Sequence, residues 1–181
     1  MQPTLRPATA VPVLETERLR LRPHRRDDFG PVAAMWADPI VVRYTVGKPL
    51  SSEEAWTKLV RNAGLWAVLG YGFWVLEEKE GCEFVGELGF ADFQRDIQPS
   101  ISGIPESGWI LMPRFHGRGF ATEALHAALA WGDAQFSPAR TVCLIHEANA
   151  PSIRVAQKCG YREYARTRYK EQDVMIFERQ P

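Results

Sequence analysis

The chain has 181 residues, of which 45% are hydrophobic and 24% are charged, and its formal net charge is +0. This length and composition fit one domain, predicted at residues 13–181, that can bury a sizeable core. The balanced charge argues against a nucleic-acid partner, because proteins of that kind carry a cationic footprint. No apolar run approaches the ~20 residues that span a bilayer, so we expect no membrane partner either.

The cysteines and the N-terminus bear on the cellular setting. Cys82, Cys143 and Cys159 are odd in number and scattered along the chain, which argues against a disulfide framework and against a metal site. The N-terminus lacks the apolar core of a secretory signal. We therefore expect a reduced, cytoplasmic setting and no bound metal.

The first part of the chain predicts one strand and two helices behind a loose tail. Residues 1–12 contain three prolines and no periodicity, which is typical of an unstructured tail. Pro39 should stop the first helix, and the capping box formed by Ser51 and Glu54 should start the second. The predicted elements are a strand at 17–23, a helix from about 27 to 38, a loop at 40–50 and a helix at 51–69.

The second part predicts a hairpin followed by alternating strands and helices. Gly81 supplies the hairpin turn, Asn149 caps the last helix, and Gly160 stops it. The predicted elements are strands at 73–76 and 83–90, a long loop at 91–105, a strand at 106–112, a helix from 120 to about 136, a strand at 141–146, a helix from 149 to 160, and strands at 161–168 and 173–178.

A glycine-rich turn lies between the strand at 106–112 and the helix that follows. Gly117 and Gly119 allow the backbone to fold tightly and to expose successive N–H groups. The first N–H groups of the next helix have no partners within it, and the helix dipole adds partial positive charge there. This combination predicts a phosphate cradle, to which Arg114, His116 and Arg118 would add cationic or donor side chains.

The spacing of the glycines and their neighbours in this turn shows which known phosphate-binding motif it matches. No Gly-Lys-Ser/Thr follows, which excludes a P-loop, and Thr122 stands where the dinucleotide fingerprint requires a small residue. The pattern of Arg114, Gly117 and Gly119 resembles instead the acetyl-CoA pyrophosphate loop of the GNAT superfamily of N-acetyltransferases. Taken alone, the motif is also compatible with a turn that merely starts a helix.

The order of predicted elements, β-α-α-β-β-β-α-β-α-β-β, resembles the GNAT fold from about residue 14 to residue 179. The resemblance implies an α/β (α+β) fold with a mixed, mostly antiparallel central sheet of six to seven strands, flanked by about four helices and splayed between strands four and five. Residues 14–23 and 149–161 further resemble the Rim-type branch, whose members acetylate the amino termini of ribosomal proteins.

The resemblance implies that acetyl-CoA is the cosubstrate and fills the gap between the strands at 108–112 and 141–146. Backbone N–H groups near Leu111 are expected to contact thioester or pantetheine oxygens, and Asn149 to bond the pantetheine amide, a role compatible with capping its helix. The residues expected to bind acetyl-CoA are Ile110, Leu111, Met112, Arg114, His116, Gly117, Arg118, Gly119, Phe120, Ala121, Thr122, Asn149 and Ser152.

The resemblance also points to catalytic residues. Many GNAT enzymes protonate the leaving thiolate with a tyrosine, but Ala156 occupies that position here. Ser152 matches the Rim-type acid, with Tyr164 and His146 as weaker alternatives.

For the general base we favour Glu106, which begins the strand that would deliver the thioester, over Glu87 on the preceding strand. Each glutamate is alternatively explained as a solvated strand residue. An α-amino group has a pKa of ~8, so no strong base is demanded.

The function implied is transfer of an acetyl group to a primary amine by direct attack in a ternary complex. The acceptor is a protein N-terminus or an amine-bearing small molecule, and residues 40–51, 91–105 and 166–172 should face it. The alternative is a non-catalytic acyl-CoA-binding or regulatory domain. Both a monomer and a homodimer are compatible with the sequence.

Overall fold

Eight strands form one open sheet in the computed structural model, which describes residues 10–181. They are β1 (Leu14–Glu15), β2 (Leu19–Arg22), β3 (Phe73–Glu78), β4 (Phe84–Ala91), β5 (Glu106–Leu111), β6 (Thr141–His146), β7 (Arg162–Tyr169) and β8 (Gln172–Arg179). Their spatial order is β1-β2-β3-β4-β5-β6-β8-β7. Neighbouring strands are antiparallel except β5 and β6, which are parallel. The predicted mixed, mostly antiparallel sheet is therefore confirmed.

Five α-helices and two single-turn 3-10 helices connect the strands in the same described range. They are α1 (Phe29–Ala37), α2 (Pro39–Val42), α3 (Ser52–Leu69), α4 (Phe120–Gln135) and α5 (Ala150–Lys158), with the 3-10 turns at Arg26–Asp28 and Pro113–Phe115. The capping box predicted for α3 is present, because the Glu54 N–H donates to Ser51 Oγ at 3.2 Å and the Ser51 N–H donates to Glu54 Oε2 at 2.8 Å.

The sheet has one strand more than the six to seven that were predicted, counted over the described part of the chain. β1 contains two residues, too few to leave a periodic pattern in the sequence. In the hairpin between β3 and β4, Cys82 rather than Gly81 takes the left-handed conformation, with φ +51°. Of the predicted tail, residues 1–9 lie outside the described residues. Pro12 is anchored to the sheet, because its carbonyl accepts a hydrogen bond from Trp74 Nε1 at 2.8 Å.

A fifth helix, α2, occupies part of the segment predicted to be a loop. Asp38 ends α1, as expected, but its side chain also accepts a hydrogen bond from the Ile40 N–H at 2.8 Å and so caps α2. Pro39 fits the first turn of a helix, where its missing N–H costs nothing. The Asp-Pro pair thus ends one helix and starts the next, whereas the loop predicted at 40–50 reflected only the first of these signals.

β5 and β6 meet at one end and then separate. Across the described residues, Glu106 and Val142 are the only pair in register between the two strands. Beside this pair, the buried Tyr161 hydroxyl bonds to the side chains of Ser107 on β5 and Thr141 on β6. Both interactions join the strands at the same end, so the predicted splay is confirmed, and it lies between β5 and β6.

The sheet separates two large apolar clusters. One packs beneath α4 and contains Trp74, Leu76 and Leu125, and the other packs beneath α1 and α3 and contains Met35 and Val75. Consecutive residues of β3 alternate between the clusters because successive side chains of a strand point to opposite faces. Across the described residues, no helix combines the length and apolarity needed to cross a bilayer.

Tyr161→Phe should lower the free energy of unfolding by about 1–3 kcal/mol, because the buried hydroxyls of Ser107 and Thr141 lose a partner. Urea denaturation followed by circular dichroism measures this change. The control is Tyr164→Phe, an exposed tyrosine on β7, which should stay within about 0.5 kcal/mol of the parent. Equal stability of the Tyr161→Phe variant and the parent would contradict the junction assigned to Tyr161.

Candidate active site

A cavity of about 540 Å³ lies where β5 and β6 diverge. Five consecutive residues of β5, from Glu106 to Ile110, and four of β6, from Cys143 to His146, line it. The segments 40–51, 91–105 and 166–172 also reach the cavity. They contribute Tyr44, Thr45 and Val46, then Phe93 and Arg95, then Tyr169, Lys170 and Gln172.

Asn149 and Ser152 line this cavity at the start of α5. Asn149 caps the helix, because its Oδ1 accepts a hydrogen bond from the Ser152 N–H at 3.3 Å. This contact uses the amide oxygen and leaves the amide nitrogen of Asn149 as a donor. The Ser152 hydroxyl stands in the first turn, where the helix dipole is positive.

The weaker acid candidates are placed differently. Tyr164 is 50% exposed on β7 and does not line the cavity in the described structure. His146 does line it, and its ring lies 5.4 Å from the ring of Tyr44. The His146 Nδ1 accepts a hydrogen bond from the Ala148 N–H at 3.1 Å, so in the neutral ring the proton is on Nε2. Ala156 is fully buried in the apolar core.

Glu106 is buried at the wall of the cavity, not solvated. Its carboxylate accepts two hydrogen bonds from Arg95, at 2.6 Å from Nε and at 2.7 Å from Nη2. Burial raises the pKa of Glu106 above its usual value, and the Arg95 cation opposes this effect without cancelling it. Nothing in the sequence pattern indicated Arg95, which lies in the long loop before β5.

Glu87 is completely buried and also lines the cavity. Its carboxylate accepts hydrogen bonds from three side chains: His24 Nε2 at 2.6 Å, Asn62 Nδ2 at 3.0 Å and Trp36 Nε1 at 3.2 Å. The explanation of Glu87 as a solvated strand residue is therefore wrong. No motif pointed to His24, which is brought to Glu87 by the turn after β2.

The glycine-rich turn has the backbone that a phosphate cradle requires. Gly117 has φ +75° and Gly119 has φ +82°, in the region that favours glycine. No side chain caps α4, whose first described intrahelical bond runs from the Glu123 N–H to the Gly119 carbonyl. The N–H groups of Phe120 and Ala121, and that of Thr122, are therefore free of intrahelical partners. No atom lies within 4 Å of a Cβ built on Gly117, so the turn has open space beside it.

The basic side chains around the turn contact the protein itself. Arg114 lies 3.2 Å from Glu83 and Arg118 lies 2.8 Å from Glu78, both in exposed ion pairs. Pairs of this kind contribute little to stability and are readily exchanged for another anion. His116 was expected to face a phosphate, but its Nε2 instead contacts the Leu111 carbonyl at 2.9 Å.

Arg18, immediately before β2, braces the glycine-rich turn, and no sequence motif indicated this contact. Its guanidinium donates to the carbonyl of Arg118 at 3.0 Å and to Glu123 Oε2 at 2.7 Å. The Thr16 hydroxyl donates to the other oxygen of Glu123 at 2.6 Å. The predicted strand at 17–23 includes Arg18, but no pattern in it indicated a partner on α4.

Of the backbone donors predicted on β5, only one faces the gap. The Met112 N–H donates to the Val85 carbonyl at 2.9 Å, on the side of β4. Alternate residues of an antiparallel strand point the same way, so Ile110 also faces β4 and Leu111 faces β6. The N–H groups of Ile110 and Met112 thus point toward β4, and Leu111 is the predicted donor whose N–H points toward β6. The contacts predicted with acetyl-CoA stay predictions.

The described residues include no group of three or more His, Cys, Asp or Glu side chains arranged to hold a metal ion. Cys82, Cys143 and Cys159 are all free thiols.

The chain resembles known proteins over most of its length. A family model described as Acetyltransferase (GNAT) domain matches residues 18–162. The uncharacterized protein YkkB of Bacillus subtilis (strain 168) is 31% identical over 171 residues, which cover 92% of this chain and 94% of that protein. Both matches include β5, the glycine-rich turn and α4.

Solved structures are also similar to this chain over most of its length. A Bordetella pertussis protein whose name places it in the GnaT family of acetyltransferases has a TM-score of 0.83 at 31% identity, covering 93% of this chain and 99% of that one. The spermidine N-acetyltransferase of Vibrio cholerae, in complex with CoA and spermine, has a TM-score of 0.67 at 18% identity, covering 90% and 95%. At that identity the second likeness shows the fold alone.

Glu106 should titrate above the ordinary glutamate pKa of 4.5, because burial raises its pKa. Arg95→Gln should raise the pKa further, since it removes the cation that favours the carboxylate. Carbon-13 NMR of the glutamate carboxyl groups measures both values. Glu54, whose pKa is lowered by hydrogen bonds from Ser51, is the internal control and should not respond. A Glu106 pKa at or below 4.5, or one indifferent to Arg95→Gln, would refute this assignment.

Proposed function

This chain belongs to the GNAT acetyltransferase family, and from that premise we propose that it is an acetyl-CoA-dependent N-acetyltransferase acting on a primary amine. The observation that carries the proposal is the cavity at the separation of β5 and β6, which Glu106, Asn149 and Ser152 all line. The amine attacks directly in a ternary complex, so no residue of the chain is acetylated.

Acetyl-CoA supplies, when bound, the thioester carbonyl that the amine attacks. The pyrophosphate lies against the turn at Gly117 and Gly119, where free N–H groups at the start of α4 donate to it. The amide nitrogen of Asn149 donates to the pantetheine arm. The Leu111 N–H donates to the carbonyl oxygen as negative charge develops there, which is the electrostatic role of an oxyanion hole.

Glu106 accepts the proton of the amine, directly or through water. Its two hydrogen bonds from Arg95 hold the carboxylate in one orientation, and its raised pKa makes it a better base than an exposed glutamate. An α-amino group with a pKa of ~8 is partly neutral at pH 7, so a base of this strength suffices. Glu87 is less suited, because three donors already occupy its carboxylate.

Ser152 assists the departure of the thiolate. Its hydroxyl donates a hydrogen bond to the sulfur, and the positive end of the α5 dipole favours negative charge at the same place. A thiol pKa near 8.5 makes the thiolate a tolerable leaving group, so this assistance raises the rate without being essential.

The finer assignment to the Rim-type branch rests on residues 14–23 and 149–161. Acceptors in this proposal are protein N-termini and small-molecule amines. The three free cysteines support a reducing, cytoplasmic setting, and both monomer and homodimer remain compatible with the site.

Gly119→Val should weaken acetyl-CoA binding about 10-fold or more, because the left-handed backbone at φ +82° costs a branched residue about 1–2 kcal/mol and the cradle is lost. Isothermal titration with acetyl-CoA measures the affinity, and circular dichroism checks the fold. The matched control is Gly64→Ala, in the exposed middle of α3, where the added methyl group meets no other side chain within 4 Å. Unchanged affinity in folded Gly119→Val would contradict the cradle, and binding without transfer to any amine would favour a non-catalytic domain.

Ser152→Ala should lower kcat about 10- to 100-fold, within or below the usual contribution of an acid–base group, and should change acetyl-CoA affinity little. Steady-state kinetics on Ser152→Ala and Tyr164→Phe, with acetyl-CoA binding measured separately, provide the comparison. Tyr164→Phe should match the parent, because Tyr164 is exposed and outside the cavity lining. A loss of rate confined to Tyr164→Phe would move the acid to β7 and overturn the assignment of Ser152.

A further inference from the structure

Two cationic side chains of α3 line the cavity without a carboxylate partner. Lys58 and Arg61 are three residues apart, which places them on one face of the helix. Aromatic faces hold both, since Lys58 Nζ lies 4.2 Å from the ring centroid of Trp36 and the Arg61 guanidinium 5.2 Å from that of Phe93. Among residues 10–181, neither lies within 4.0 Å of a carboxylate oxygen.

The carboxylates of the cavity are already occupied. Glu106 accepts hydrogen bonds from two nitrogens of Arg95, Nε and Nη2, and Glu87 accepts hydrogen bonds from three other side chains. A second ammonium group therefore finds no unpartnered carboxylate in this cavity, although the free lone pairs of Glu106 can still accept a proton. The cations of α3 are in the opposite situation. Arg61 donates from Nε and Nη2 to the amide oxygen of Asn62 at 3.4 and 3.1 Å, but among the described residues neither cation has a carboxylate partner, and both keep N–H donors unused.

An unpaired cation in a partly enclosed cavity is unfavourable. Burial lowers the pKa of Lys58 to about 8, and the neighbouring Arg61 cation acts in the same direction. A bound anion would reverse this effect, since a charge of opposite sign close by favours the charged form. The arrangement therefore suits a ligand that brings its own negative charge.

This negative charge belongs to the acceptor and not to the phosphates of the cosubstrate. No residue from Arg114 to Thr122 lines the cavity in the described structure, so the phosphate-binding turn lies apart from Lys58 and Arg61. Among residues 10–181, two carboxylates line the cavity, whereas four cationic side chains do so, those of Lys58, Arg61, Arg95 and Lys170. This balance repels a polycation such as spermine and attracts an anion.

We propose that the acceptor is a primary amine that also carries an acidic group, a carboxylate or a phosphate, and that Lys58 and Arg61 bind this group. The inference rests on the proposed function, because it assigns the acceptor of that reaction. Lys58 and Arg61 are thus specificity-determining residues. They select the amine by its distal acid and orient its nitrogen, while Glu106 accepts the proton.

The test is an acetyl-transfer screen with the full chain over matched acceptors. Each common amino acid is compared with its C-terminal amide, and phosphoethanolamine with ethanolamine, so that the members of a pair differ in the acid alone. Spermidine represents the polycations. We expect kcat/KM to favour the acidic member of the best pair by about 10- to 100-fold, the range for hydrogen bonds to charged groups. The pair with the larger ratio distinguishes carboxylate from phosphate.

Variants connect this preference to α3. Lys58→Met and Arg61→Met should each reduce the ratio within the best pair, and Lys58→Arg should retain most of it. Lys158→Met is the matched control, because Lys158 is an exposed lysine at the end of α5 outside this cavity. A preference for the acid that neither Lys58→Met nor Arg61→Met alters would overturn the inference.

A binding measurement tests the inference even if no acceptor is acetylated. Isothermal titration of the CoA-saturated protein with N-acetyl amino acids and with their amides should show tighter binding of the acids in the parent than in Lys58→Met. Such binding without transfer to any amine would support the anion site and overturn the proposed function instead.

Two further outcomes would overturn the inference while the proposed function stands. One is transfer to an uncharged amine or to spermidine at least as efficient as transfer to every acidic acceptor. The other is a preference for succinyl-CoA over acetyl-CoA that Lys58→Met abolishes, which would place the acid on the acyl donor.

Discussion

The separation of β5 from β6 is the constraint on which the site depends. The strands share one pair in register, Glu106 with Val142, and the Tyr161 hydroxyl fastens the same end. Parallel strands paired along their whole length would use each other's N–H and C=O groups, and no edge would remain for a ligand. Because strand pairing ends after this one pair, the backbone of β5 from Ser107 to Ile110 borders a cavity instead of a paired strand.

Ion pairing divides the charged side chains of the cavity into two groups. Glu106 and Glu87 are buried and hold fixed partners, which suits groups that must keep one geometry. Lys58 and Arg61 rest on aromatic faces with donors unused. The first arrangement offsets the cost of desolvating a charge within the protein, whereas the second leaves the half-buried Lys58 and the exposed Arg61 without a charge of opposite sign. In the proposed reaction, catalysis and recognition of the acceptor therefore use different charged groups.

The GNAT fold predicted from the order of motifs is confirmed. It could be predicted from the sequence because the signals that specify it are local. The capping oxygen of Ser51 and the positive φ of Gly119 depend on neighbours a few residues away. The contacts between Arg18 and Glu123, and the pairing of Arg95 with the candidate base, join residues on separate elements. One sequence carries no periodicity that reports such partners, so these contacts appear only in the folded chain. The catalytic roles remain predictions.

The brace on the glycine-rich turn bears on when the site forms during synthesis. Arg18 and Glu123 are 105 residues apart in sequence. A ribosome therefore releases Arg18 long before Glu123, the residue that it must contact, and closing so long a loop has an entropic cost that local helix formation does not share. A nascent chain with α4 already helical still lacks the brace. The brace is thus a property of the longer chain, whereas the positive φ of Gly119 is set within the motif itself.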